Sequence, residues 1–89
     1  MNKLAIESLS MDLLRTALGY HKGSNKMAEK FSEEALKRCS EIKKAEVKPY
    51  FAEILNKIPI TLSDKDLNTR AENALMYSII CKNYARKFT

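Results

Sequence analysis

The sequence predicts an all-α protein: one domain over residues 1–89, folded as a small antiparallel bundle of four helices with the third short. Three observations carry that expectation. Gly and Pro number only two each, so few positions force a helix to stop. Leu, Ala, Lys, Glu and Met, which favour helix, are frequent. Apolar residues recur at steps of three and four, the spacing of a helix that buries one face. The variant plan is three helices, with the second kinked at Pro49.

Helix 1 is expected from about Lys3 to Tyr20. Ile6, Leu9, Leu13, Ala17 and Tyr20 form one apolar stripe, and Leu4, Met11, Leu14 and Leu18 form another on the opposite side. A helix on the surface of a monomer needs only one. The first turn is G-Y-H-K-G-S-N, where Gly23 can take the left-handed conformation and Ser24 or Asn25 can cap the next helix.

Helix 2 is expected from about Asn25 to Ala45 or slightly beyond. Met27, Ala28, Phe31, Ala35, Cys39 and Ile42 face inward, and the Glu33–Lys37 and Glu34–Arg38 pairs lie on a solvated face. Pro49 lacks the N–H a helix interior needs, so a break is favoured there. A short helix 3 then carries Tyr50, Phe51, Ile54, Leu55 and Ile58 and is closed by Pro59. Ser63 with Asp66 resembles a capping box, and helix 4 is expected from about Asp64 to Lys87.

Helix 4 contains the uncharged stretch N-A-L-M-Y-S-I-I-C, residues 73–81. It is under half the length of about 20 residues that a membrane span requires, so no span is expected. Leu67, Ala71, Ala74, Ser78, Cys81, Ala85 and Phe88 alternate steps of four and three, a seam of mostly small residues suited to close helix packing. Met76 and Ile80 fall roughly opposite that seam, with Leu75 and Ile79 flanking it. The middle of helix 4 is therefore apolar nearly all round, more than so small a bundle encloses.

Together these excesses predict association. The expected interface is Leu4, Met11, Leu14 and Leu18 with Leu75, Met76, Ile79 and Ile80, the spacing leaving open which helix 1 stripe turns to its own core, and its preferred form is a twofold homodimer. The function expected is a non-catalytic, self-associating interaction module, with docking to another protein as the variant.

Chemistry is not expected. His21 is the only histidine, and with Cys39 and Cys81 it supplies neither a metal site nor an activated nucleophile. No Gly-rich phosphate loop surrounds Gly19 or Gly23. No catalytic, metal or cofactor-binding residue is assigned. The start M-N-K-L-A-I-E-S meets Glu7 before a long apolar core forms, so no secretory signal is expected. Two reduced, buried thiols fit a cytoplasmic protein.

Two other readings follow from a net charge of +5. Lys26, Lys30, Lys37, Arg38, Lys43, Lys44 and Lys48, with the terminal K-N-Y-A-R-K-F, suit nucleic-acid binding if cations cluster and rings are exposed. Interleaved glutamates and the place of Phe88 in the core seam argue against it. In size, charge and helix count alone, the chain is similar to bacteriocin immunity proteins. That likeness of plan would imply binding to a toxin or its receptor, and it assigns no residue.

Overall fold

A computed structural model describes residues 3–88. They form α1 (Lys3–His21), α2 (Asn25–Glu41), a 3-10 turn (Lys44–Glu46), α3 (Pro49–Leu62) and α4 (Leu67–Phe88). The four-helix all-α bundle expected from the sequence is the fold observed, and its body measures 35 × 19 × 18 Å. Seen end-on, α1 packs on α2 and α4, and α3 packs on α4 and α2. The helices thus stand in cyclic order, with α1 diagonally across from α3.

The first turn forms as its residues dictate. Gly23 has φ 75°, the left-handed region that glycine enters without a Cβ clash. Ser24 then caps α2, its hydroxyl accepting from the Met27 N–H at 3.4 Å. Just before the turn, α1 and α2 nearly touch at Gly19, where a Cβ would stand 2.7 Å from the Ala28 nitrogen.

Three boundaries differ from the sequence reading. First, α2 ends at Glu41, and Ile42 turns extended (φ −82°, ψ 123°) while its N–H still bonds the Arg38 carbonyl. Ile42 is buried, and the four residues after it offer no large apolar side chain, so continuing the helix would gain nothing. The chain does break before Pro49, which occupies the first turn of α3.

Second, Pro59 lies inside α3 instead of closing it. An interior proline costs about 3 kcal/mol, and burial of Leu62 in the turn beyond it offsets that cost. Third, Asp66 rather than Ser63 caps α4. Its carboxylate accepts from the Asn68 N–H at 3.1 Å and from the Thr69 hydroxyl at 2.7 Å. Ser63 instead finishes α3, its hydroxyl donating to the Ile60 carbonyl at 2.8 Å.

The core is built from Ile6, Leu9 and Leu13 of α1, Phe51, Leu55 and Ile58 of α3, and the small residues Ala74, Cys81 and Ala85 of α4. Of the two stripes on α1, the one containing Ile6 therefore faces inward. At the α3–α4 contact, Tyr84 stacks on Phe51 with centroids 4.0 Å apart. Its hydroxyl accepts from the Lys48 backbone N–H at 2.9 Å. Leu67 and Phe88, the expected ends of the α4 seam, both stay exposed.

Candidate interaction surface

The α1 stripe that does not enter the core is laid along the outside of the bundle. Leu4 is 79% exposed and Met11 44%, with Leu18 similar to Met11 and Leu14 half-buried beside them. Next to it, α4 presents Leu75 and Ile79, the latter 52% exposed. The two helices run antiparallel, as the Ser10–Ser78 and Tyr20–Arg70 hydrogen bonds establish. A groove between them is lined by Glu7, Met11, Leu14, Ser78, Lys82 and Arg86. Met76 is exposed on the outer side of α4. Ile80 faces elsewhere: it is half-buried, packs on the edge of the core and borders Tyr50 and Tyr84. Seven of the eight residues expected at an interface thus lie on the outer sides of α1 and α4, and Ile80 belongs to the α3 side.

That α3 side holds a second recess, two of whose rings, Tyr50 and Phe88, the sequence reading assigned to buried helix faces. Tyr50, Ile80, Asn83, Tyr84, Lys87 and Phe88 line it. Tyr50 is 51% exposed and Phe88 40%. The ammonium groups of Lys48 and Lys87 lie 5.2 and 5.4 Å from the Phe88 ring centroid. The signal available in the sequence was Pro49, which fixes Tyr50 in the first, poorly covered turn of α3.

A third feature lies between α1 and α2. The Asp12 carboxylate is buried, 4.0 Å from the Arg38 Nε, while the Arg38 Nη1 donates to Glu41 at 3.0 Å. Burial pushes the Asp12 carboxyl above its usual range; Arg38 and Arg15 oppose the shift and Glu34 adds to it. Both cysteines are free and buried. Desolvation raises Cys39 to about 11 and Cys81 to about 12, with the neighbouring Cys39 adding to the latter. Neither has the lowered pKa of a reactive thiolate.

Among the described residues no three His, Cys, Asp or Glu side chains converge as metal ligands. None of the described helices is long and apolar enough to cross a membrane. The fold and surface together define a four-helix bundle with an uncovered apolar face. Comparison with protein-family models, curated proteins and solved structures gives no match.

Proposed function

We propose that this chain is a non-catalytic protein-interaction module that associates with itself through the outer faces of α1 and α4. The observation that carries the reading is the exposure of Leu4, Met11, Leu18, Leu75, Met76 and Ile79 after the core has formed. Large apolar side chains gathered on neighbouring helices mark an interaction surface, whereas scattered ones such as Ile60 need no such explanation. Each Å² of apolar surface removed from water contributes about 25 cal/mol. A domain of this size has little stability to spare, so a second copy adds what the chain alone lacks. The thiols suit a reducing, cytoplasmic setting.

The test is light scattering on the purified chain and on a Met11→Glu, Ile79→Glu double variant. The wild type should give a dimer mass at micromolar concentration, and the variant a soluble monomer with unchanged helical circular dichroism. Equal masses would remove these residues from the interface.

One observation favours a second reading, binding of single-stranded nucleic acid. The Tyr50–Phe88 recess combines exposed rings with lysines, the pairing that base stacking and phosphate contact require. Retardation of a single-stranded oligonucleotide at low ionic strength, weakened by the charge-neutral Tyr50→Leu, would support it. Absence of retardation would dismiss it.

A further inference from the structure

The uncovered face has an internal symmetry that specifies what covers it. On α4, the residues Glu72, Leu75, Ile79 and Lys82 follow steps of three, four and three, so they share one helical face. All four are exposed. Leu75 and Ile79 lie two residues either side of Tyr77, and Glu72 and Lys82 lie five either side. About that centre Leu75 mirrors Ile79, and Glu72 mirrors Lys82 with opposite sign, while Arg86 further along the same face stands opposite the uncharged Asn68. On α1 the exposed residues Leu4, Met11 and Leu18 are likewise symmetric about Met11. The Ser10–Ser78 hydrogen bond, 2.8 Å long, sets Met11 within about one residue, or 1.5 Å, of the level of Tyr77.

Two neighbouring helices are thus self-complementary about the same level. An isologous contact has this requirement: if residue i meets j of the copy, j must meet i. We infer that a second copy of this chain docks on the α1–α4 face about a twofold axis that crosses both helices at the level of Met11 and Tyr77. Leu75 then meets the partner's Ile79, Leu4 meets the partner's Leu18, and Glu72 pairs with the partner's Lys82. Among the described residues neither Glu72 nor Lys82 has an ion-pair partner within its own chain. A body 35 Å long and 19 Å wide limits that side to about 700 Å² in projection, which places a dimer through it at the small end of specific interfaces. This inference rests on the self-association proposed above and adds its axis and register.

The test is charge reversal followed by sedimentation velocity. Glu72→Lys sets lysine against lysine, and Lys82→Glu sets glutamate against glutamate, twice in each dimer. Each should weaken self-association about tenfold at low salt, and less at high salt. Mixed together, the two variants should form a heterodimer of wild-type affinity, because both pairs are then opposite in charge. The double variant should also recover. These are exposed positions, and circular dichroism checks that the fold is kept. Wild-type protein that never dimerises would remove the proposed function itself. A dimer unmoved by either reversal, or singly weakened variants that fail to rescue one another, would leave self-association standing and overturn this register. Weakening by Lys82→Glu but not by Glu72→Lys would also overturn it. That pattern sets Glu7 against the partner's Lys82, with the axis running along the helices.

Discussion

The Ser10 hydroxyl donates to the Ser78 carbonyl across the α1–α4 contact, at 2.8 Å and shielded from water. The bond locks the relative height of the two helices that carry the exposed apolar face. Ser10→Ala removes the donor while Ser78 keeps its place in the α4 ladder, so the loss is that of one net hydrogen bond, about 1 kcal/mol. Urea denaturation should show a lower midpoint with an unchanged slope. An unchanged midpoint would mean that side-chain packing alone sets the register.

Gly19 sits where α1 approaches the α2 backbone closely. An alanine there would place its Cβ 2.7 Å from the Ala28 nitrogen and 2.9 Å from its Cα. Backbone cannot swing aside as a side-chain tip can, so overpacking at about 1–3 kcal/mol should outweigh the gain of up to about 1 kcal/mol from alanine's helix propensity. Thermal unfolding of Gly19→Ala should show a lower Tm. A raised Tm would place the two helices further apart than described.

The Asp12 and Asp66 carboxyls should act on stability with opposite signs as pH changes. Desolvation raises the Asp12 pKa above 3.8, so the folded state binds its proton more tightly than the unfolded chain does. Its ionised form opposes folding at neutral pH, and that cost is relieved as pH falls through the raised folded value. Asp12→Asn should therefore stabilise the protein at pH 7 and should make little difference in acid. Hydrogen bonds from Thr69 and Asn68 lower the Asp66 pKa below 3.8. Its contribution is present above that value and is lost as pH falls through the depressed folded one, so Asp66→Ala should lower Tm at pH 7 and matter least at the most acid pH. Denaturation of both variants from pH 7 to pH 3 checks the signs. A destabilised Asp12→Asn at pH 7 would mean that its attraction to Arg38 exceeds its desolvation.

With pKa values of about 11 and 12, Cys39 and Cys81 stay protonated at pH 8, and both are buried. A thiol reagent should label neither in the native protein and both in denaturant. Rapid native labelling would contradict the burial of both thiols in the bundle core.

Helix existence was legible from the sequence because apolar spacing marks each buried face, as Ile6, Leu9 and Leu13 illustrate. The outer stripe of α1 was equally legible, but which stripe turned inward depended on partners that a single helix does not name. Boundaries were harder. Proline at 49 marked a true break, while proline at 59 was overridden by the burial of Leu62, a tertiary gain invisible to local rules. Ser63 and Asp66 both suit caps, and only the observed chain path assigns them to different helices. Ile80 shows the limit at the surface itself. Helical angle placed it opposite the seam, yet α3 approaches from that side and packs it against the core edge, leaving Ile79 as the more exposed of the two. The Tyr50–Phe88 recess was missed because Phe88 fits the seven-residue pattern one turn beyond the point where the core ends.

Sedimentation equilibrium of the unmodified chain over a range of micromolar concentrations tests the central claim most directly. The account predicts a weight-average mass rising reversibly from near 10.2 kDa toward twice that value. A mass that stays at that of one chain throughout would contradict it, leaving Met11, Leu75 and Ile79 uncovered with no second copy to cover them.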